Sequence, residues 1–168
     1  GLMVRSFHAL SNIDPGFDPK GVFTCLLIGD AQGIEPERRR VLLREMRNQL
    51  SAIPGIARAS AALSLPLPSA RFWVAWGQWV GGTSLADGQV VLPGYFETLR
   101  TPLIEGRTFS EDDNVPGRHV AVIDEAFAAK AFPNESALGK TVTIQWFPEA
   151  LTLEVIGVVA HQRQKSLA

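Results

Sequence analysis

The chain has 168 residues and a mass of 18.3 kDa, which fits one domain of ordinary size or a core with a small subdomain and argues against a multi-domain enzyme. Hydrophobic residues make up 46% and charged residues 20%, so the chain can bury a core and is not intrinsically disordered. The 16 basic and 17 acidic residues give a formal net charge of -1, which argues against a dedicated nucleic-acid binder, and the single cysteine excludes an internal disulfide.

The N-terminal segment is apolar over residues 1–4 and becomes polar at Arg5. It is either a cloning remnant or the frayed end of an apolar helix, and composition leaves both open. No apolar run approaches the roughly 18 residues that cross a bilayer, and no signal peptide is recognisable in the sequence. Residues 9–20 contain two prolines and a glycine, which predicts a loop.

A strand–helix–strand unit is predicted next. Residues 22–28 are an apolar run between two glycines and predict a buried strand. A helix follows, because Pro36 suits a first helical turn and Pro54 with Gly55 would end it. Apolar side chains recur along it at helical spacing, at Leu42, Met46, Leu50 and Ile53. Residues 56–63 predict a second strand, so the pattern indicates a crossover unit.

A tryptophan-rich insertion, residues 66–88, holds three of the four tryptophans: Trp73, Trp76 and Trp79. On a helix all three would cluster on one side, whereas on a strand Trp73 and Trp79 share a face and Trp76 takes the other. The rings either complete a core under a long loop or form an exposed patch for a protein partner or a hydrophobic ligand. They are the candidate interaction surface of the chain.

The second half of the chain alternates short strands and short helices. Residues 90–92 and 120–123 predict strands, and residues 95–99 predict a short helix. Asp124 is a good N-cap for a helix over residues 125–132. Residues 141–146 and 151–159 alternate apolar and polar side chains and predict a C-terminal hairpin that meets solvent on one face. The pattern therefore predicts short strands, short helices and a C-terminal β-hairpin.

The sequence offers no reaction centre, and we predict no catalytic, cofactor-binding or metal-binding residue. The three histidines, His8, His119 and His161, are far apart and have no spacing for a zinc site. Cys25 lies in the apolar run, where a thiol is usually an inert small hydrophobe. The acidic run 111–113 lacks the spacing of a calcium loop and is interpreted as a solvated turn.

Two further segments are interpreted as structural and not as ligand-binding. Residues 29–33 lie between the predicted strand and helix but lack the third glycine of a dinucleotide fingerprint and the lysine of a P-loop, so they form an ordinary β–α connection. The arginines at 38–40 are flanked by glutamates and are interpreted as a solvated helix face.

An ordered series of turn motifs runs through almost the whole chain. It comprises Asp14-Pro-Gly-Phe-Asp18, the Ile53-Pro-Gly55 ending, Leu65-Pro-Leu67, Pro93-Gly-Tyr-Phe-Glu-Thr-Leu99, Pro102-Leu-Ile-Glu-Gly-Arg-Thr-Phe109, Asp112-Asp113, Val122-Ile-Asp-Glu125, Phe132-Pro133, Leu138-Gly-Lys140 and Val155-Ile-Gly-Val-Val159. In this order and spacing they resemble the MacB-like periplasmic core domain of FtsX-type ABC transporter permeases. Without the family, Gly94 and Gly106 suit turns with positive φ, and Tyr95, Phe96 and Phe109 suit anchors in the core.

The resemblance implies an α+β fold, a porter-like core over residues 9–168 with a mixed sheet, crossover helices and a C-terminal β-hairpin. Because residues 1–7 match the outer end of the preceding membrane helix in that family, it also implies a truncated membrane helix ending within residues 1–8. It implies a non-catalytic extracytoplasmic domain that couples cytoplasmic ATP hydrolysis to substrate export or to movement outside the membrane. The implied partners are a cytoplasmic ABC ATPase subunit, a second permease copy in a dimer and a periplasmic adaptor. The implied location is the bacterial inner membrane, with this domain on the periplasmic side.

Two alternatives belong to other functional classes. One is a soluble ligand-binding or enzyme domain that uses the 29–33 loop or a tryptophan pocket. The other is a partner-binding module that regulates a cell-envelope enzyme, as some FtsX-type proteins do. Apolar stretches of about 20 residues on both sides of the chain in the reading frame would favour the permease.

Overall fold

The computed structural model of the chain describes residues 17–27, 33–63, 74–79, 82–146 and 149–161. Its helices are α1 (Pro36–Ser51), α2 (Tyr95–Thr98), the 3-10 helix η1 (Glu111–Asp113) and α3 (Glu125–Ala131). Its strands are β1 (Val74–Trp79), β2 (Gly82–Asp87), β3 (Leu103–Gly106), β4 (Val120–Asp124), β5 (Thr141–Trp146) and β6 (Glu149–Val159). The six strands form one sheet in the order β2-β1-β5-β6-β3, and β4 pairs with β6 off this path.

Strand β6 organises the sheet because it pairs with three other strands. Its first half forms the predicted hairpin with β5, in a register that places Val142 opposite Leu153. Its second half pairs antiparallel with β3 and parallel with β4. The parallel partner β4 runs directly into α3, whose first turn is capped by the Asp124 carboxylate accepting from Phe127 N at 2.6 Å. The predicted α+β fold with a mixed sheet, a C-terminal hairpin and a capped helix is confirmed.

The core lies on both faces of β6. Val155 and Val158 pack with the buried residues of α3 and the following turn, including Ala131 and Phe132. The next residue, Val159, points to the other face, where it packs with Tyr95, Phe96 and Leu99 in and after α2. The rings of Phe96 and Phe109 stack with centroids 6.1 Å apart, and Gly94 has a φ of 87° just before the helix. The predicted anchoring of these turns by aromatic side chains is confirmed.

Tyr95 provides a prediction, because it is the only tyrosine and it is buried. Burial raises the pKa of its hydroxyl to about 12, and the hydroxyl can donate to Gln89 Oε1 at 3.2 Å. The neutral form is therefore stabilised by folding, and this share of the stability is lost as pH rises from about 10, the unfolded value, towards 12. In a titration of tyrosinate absorbance, folded protein should stay neutral past pH 10, whereas denatured protein should ionise there; ionisation of folded protein near 10 would contradict the burial.

The predicted strand–helix–strand unit is wrong in its two strands. Residues 22–27 belong to no strand, and Phe23 and Leu26 are 97% and 83% exposed. Residues 56–63 contain only an isolated bridge, between Ala62 and Val91. The strand predicted at 90–92 is likewise limited to this bridge. An apolar run has a local preference for extended backbone, but a strand needs a neighbour that accepts its hydrogen bonds. The parallel crossover instead joins β4 and β6.

Helix α1 has the predicted position but not the expected packing. It begins at Pro36, ends before a turn in which Gly55 has a φ of 92°, and contains no buried residue. Apolar side chains of the helix and of the turn after it are exposed: Val41, Leu42, Met46 and Leu50 of α1 and Ile53 of the turn have between 36% and 49% of their surface accessible. The helix is therefore not the cover of the sheet that its pattern suggests. None of the helices among the described residues is long and apolar enough to cross a bilayer.

Candidate functional site

The tryptophan-rich insertion is a β-hairpin where the structure describes it. Trp76 and Trp79 belong to β1, at positions that pair with Leu85 and Gly82 of β2. On its other edge β1 joins β5, with Trp79 opposite Val142. The helical arrangement is therefore wrong for these two residues, and Trp73 lies outside the described residues. The role of the three tryptophans as an interaction surface stays a prediction.

The residues tested for chemistry do not assemble in the part of the chain that the structure describes. His119 and His161 lie at different places, and no group of three or more His, Cys, Asp or Glu residues there could hold a metal ion. Cys25 was predicted inside a buried strand, and this is wrong because it is exposed. His8 and residues 29–32 lie outside the described residues. Arg40 pairs with Glu37 and Arg39 donates to Ile34 O, which are contacts of an ordinary helix face.

The two ends of the described core meet at one turn, which follows α2 and comprises residues 99–102. On the N-terminal side, Asp18 N donates to Leu99 O at 3.0 Å. On the C-terminal side, Ala160 N donates to Pro102 O at 2.9 Å, directly after β6 has paired with β3. We call this turn, with the segments 18–20 and 160–161 bound to it, the chain-end joint. Its geometry means that the first and last described segments of the core are attached within four residues of each other.

Arg100 fastens the N-terminal side of the chain-end joint. Its Nε donates to Asp18 Oδ2 at 2.9 Å, and its Nη2 donates to the carbonyl oxygens of Asp18 and Lys20. Asp18 in turn accepts from Lys20 N at 2.9 Å. These hydrogen bonds, first that from Lys20 N and then that from Arg100, hold the pKa of the Asp18 carboxyl below its usual value. The Arg100 guanidinium thus binds the turn at residues 18–20 through three hydrogen bonds.

The backbone of Arg100 is itself unusual. Its φ of 53° lies in the left-handed region, at the position after a helix end where glycine is commonest. A side chain there costs about 1 kcal/mol or more, so the position favours a residue whose side chain makes contacts that offset the strain. Arg100 makes them with Asp18 and Lys20.

The C-terminal side of the chain-end joint is fastened to the start of α3. His161 Nδ1 lies 2.8 Å from Asp124 Oδ2, and His161 N donates to Glu125 Oε1 at 3.2 Å. Asp124 therefore caps α3 with one oxygen and contacts the outgoing chain with the other. Through this contact the last described residue is linked to α3, which covers one face of the core.

Asp113 is the centre of a second polar cluster, at η1. Its side chain is 4% exposed and accepts two hydrogen bonds from Arg107, at 2.6 and 2.8 Å. It also forms an ion pair with Arg118, whose Nε lies 3.0 Å from Asp113 Oδ1. It also accepts from Ser110 N and Ser110 Oγ and so caps η1. The Arg107 guanidinium holds the pKa of the Asp113 carboxyl well below its usual range, and the carboxylate raises the pKa of Arg107. The interpretation of 111–113 as a solvated turn is therefore wrong for this residue.

Glu111, at the other end of η1, connects the core to α1. Its carboxylate pairs with Arg47 and, at 3.2 Å, with Arg44 of that helix. The helix η1 therefore binds two parts of the domain. Asp113 binds Arg107, the residue after β3, and Glu111 binds α1. Exposed ion pairs are individually worth little, but two arginines on one carboxylate fix the orientation of the helix.

The turn motifs recognised in the sequence contain or adjoin these residues, but the motifs do not predict the contacts that the residues make. Asp18 and Arg100 are 82 residues apart, so no spacing rule connects them. The available signal was the aspartate that ends the Asp14–Asp18 turn motif together with an arginine directly after the 93–99 motif. For Asp113, the signal was a serine three residues earlier, which is typical of a capped turn.

Three comparisons relate the chain to known proteins. The family of MacB-like periplasmic core domains matches residues 8–167. The macrolide export ATP-binding/permease protein MacB of Aggregatibacter actinomycetemcomitans is 39% identical over 69 residues, which are 41% of this chain and 10% of that protein. The periplasmic region of MacB from Actinobacillus actinomycetemcomitans has a TM-score of 0.52 at 25% identity, covering 73% of this chain and 52% of that one.

The fold is also similar to the extracellular domain of the ABC-type transporter YknZ from Gram-positive bacteria, with a TM-score of 0.53 at 23% identity. That match covers 71% of this chain and 57% of the other. The chain thus spans about half of the solved domains and about a tenth of the curated relative. Because the family match extends over nearly all residues, the chain belongs to the MacB-like periplasmic core domains of ABC transporter permeases.

Proposed function

We propose that this domain is a non-catalytic coupling element of an ABC transporter permease. It passes movement between the membrane and the extracytoplasmic space, so that ATP hydrolysis by a cytoplasmic subunit drives export of a substrate or movement outside the membrane. The observation that supports this is the chain-end joint, where both ends of the domain bind the turn 99–102. Two membrane helices leading to these ends, the first of them ending within residues 1–8, would act on the core at one place.

The connections beyond the joint support the same function. From the turn 99–102, the chain continues through β3 to Arg107, which forms an ion pair with Asp113 of η1. Glu111, also in η1, forms an ion pair with Arg47 of α1. From His161, the contact with Asp124 leads to α3. Since packed elements move as units, a displacement of the two ends is expected to rotate the domain as a body and not to unfold it locally. The whole protein then works with an ABC ATPase subunit and a second permease copy in the inner membrane.

Arg100 provides the test in the full-length transporter. Arg100→Gly keeps the left-handed backbone that glycine adopts freely and removes the clasp on Asp18 and Lys20. We expect ATP hydrolysis to continue while its coupling to movement of the domain weakens by about tenfold, within the range of coupling free energies of 1–3 kcal/mol. The movement is measured as the ATP-dependent change in distance between spin labels on Cys25 of the two copies, with other cysteines removed; Cys25 is exposed and lies outside the joint.

The control is Arg58→Gly, which removes an exposed arginine outside the chain-end joint. It should leave both ATP hydrolysis and the distance change as in the wild type. An unchanged distance response in Arg100→Gly would contradict the role of the joint. A wild-type transporter that hydrolyses ATP without any movement of these domains would contradict the proposed function itself.

A further inference from the structure

We propose that the chain leaving the domain docks into a groove beside α3 through the basic side chains of Arg163 and Lys165. The groove, which we call the acidic groove, has a volume of about 500 Å³. The residues that line it include Glu105, Glu125, Ala128, Phe132, Glu135 and Val158. The inference rests on the proposed function, since it names a further contact through which the segment leading to the next membrane helix acts on the core.

The acidic groove combines buried apolar side chains with more accessible carboxylates. Phe132 and Val158 are buried in the core and line it with their apolar surface. The three glutamates come from three different elements: Glu105 from β3, Glu125 from α3 and Glu135 from the turn after α3. The acidic groove therefore suits an aliphatic stem that ends in a cation, as in arginine and lysine.

An irregularity in β3 directs Glu105 towards the acidic groove. Leu103 pairs with Val159, which packs with the α2 side of the core, whereas Glu105 pairs with Val158, which packs with the α3 side. Residues two apart in a regular strand share a face. The register shift between Leu103 and Glu105 therefore moves the glutamate to the α3 face.

The negative charge of the acidic groove is only partly neutralised within the described residues. Lys140 Nζ pairs with Glu135 Oε2 at 2.7 Å. Glu105 and Glu125 each accept a hydrogen bond from an uncharged donor, and neither forms an ion pair in the described part of the chain. Two carboxylates that line one groove without a cation favour a positively charged occupant.

The outgoing chain is the occupant that these contacts favour. His161 N donates to Glu125 Oε1 at 3.2 Å, so the chain leaves the described core at a lining residue of the acidic groove. The residues that follow are Gln162-Arg163-Gln164-Lys165, which lie outside the described residues and carry two cations for two carboxylates. Arg163 is two residues beyond His161, and thus within about 7 Å of it along the backbone. Because the segment is tethered at the site, exposed ion pairs that are weak individually suffice to hold it.

Disulfide cross-linking in membranes that contain the full-length permease tests the proposal, with Cys25→Ser and other cysteines removed. Ala129→Cys places a thiol on an exposed lining residue of the acidic groove, and Gln164→Cys places one beside Arg163. We expect a disulfide within one copy, which migrates as a monomer on a non-reducing gel and is identified by mass spectrometry. The control pairs Gln164→Cys with Ala126→Cys, an exposed residue of the same helix that does not line the groove, and it should not cross-link.

Charge reversal separates docking by ion pairs from proximity alone. Arg163→Glu should slow the cross-link between positions 129 and 164 by about fivefold, the upper range for one exposed ion pair. The rate is taken relative to alkylation of the Gln164→Cys thiol by N-ethylmaleimide, because a nearby arginine also raises thiol reactivity. Adding Glu105→Arg to Arg163→Glu exchanges the two charges and should restore most of the rate.

The outcomes that overturn the proposal differ from one another. A disulfide that joins two copies would make the second copy the occupant of the groove. No reaction at position 129, equal reaction at position 126, or a rate that does not respond to Arg163→Glu would show that the outgoing chain does not dock there. A permease whose domains still move on ATP hydrolysis in any of these cases keeps its proposed function.

Discussion

Replacing Gly157 with alanine should destabilise the domain by about 3 kcal/mol, the upper end of what overpacking costs. Gly157 lies in β6 opposite Gly106 of β3, and it is buried. A Cβ at this position would collide with the carbonyl oxygen of Arg107 and lie 3.0 Å from its carbonyl carbon. Because the obstacle is backbone, it cannot rotate away as a side chain would. Urea unfolding followed by tryptophan fluorescence measures the effect.

The collision can be separated from backbone strain with a control. The φ of Gly157 lies outside the left-handed region, so alanine adds no backbone strain there. The loss of stability then comes from the collision with Arg107 alone. Gly117 is the reverse case, with a φ of 80° and nothing within 4 Å of an added Cβ. Gly117→Ala should therefore cost only about 1 kcal/mol. Equal effects of the two substitutions would contradict the close approach of β3 and β6 at Gly157.

The second large effect is expected for Asp113→Asn, which should lower the free energy of unfolding by about 2–3 kcal/mol. Removing one partner of a fully buried ion pair destabilises a protein by about 3–5 kcal/mol. We expect a smaller loss here because the side chains of Arg107 and Arg118 are 44% and 48% exposed. The amide keeps the shape of the side chain but cannot accept from two arginines and Ser110 at once. The neighbouring Asp112→Asn is the control, since Asp112 is exposed and its change should stay within about 0.5 kcal/mol.

The pH dependence of the Asp113→Asn effect follows from the depressed pKa. The folded domain keeps Asp113 ionised to lower pH than the unfolded chain does, because of Arg107. The contribution is thus fully present above the unfolded pKa of about 3.9 and decreases as pH falls through the folded value. The stability difference between wild type and Asp113→Asn should be constant near neutral pH and shrink below about pH 4. A difference that grows on acidification would contradict the ion pair.

The elements that the sequence predicted correctly have strong local signals. Pro36 and the turn at Gly55 delimit α1, Asp124 caps α3, and the alternation of apolar and polar residues in 141–159 specifies the hairpin. Each of these signals acts within a few residues, where propensity and capping dominate. The family resemblance likewise rested on short turns, and it is confirmed over nearly the whole chain.

The elements that the sequence predicted wrongly depend on distant partners. The apolar run at 22–27 has the composition of a strand, but extended backbone becomes a strand only beside another one. The acidic run at 111–113 has the composition of a solvated turn, but Arg107 and Arg118 bury Asp113. The chain-end joint brings together residues near 18, 100 and 160, and no spacing rule connects positions so far apart in the sequence.

The position of β6 has a consequence for how the domain is made. It is the last strand of the described sheet in chain order, yet β3 and β4 pair with it and with no other strand of that sheet. A ribosome that has synthesised residues up to 148 has therefore made two strands whose hydrogen-bonding neighbour does not yet exist. Strands β1, β2 and β5 can pair with one another before that point, but the sheet is completed only with β6. Folding of the complete sheet is therefore expected to follow the synthesis of β6 and not to accompany that of β3 and β4.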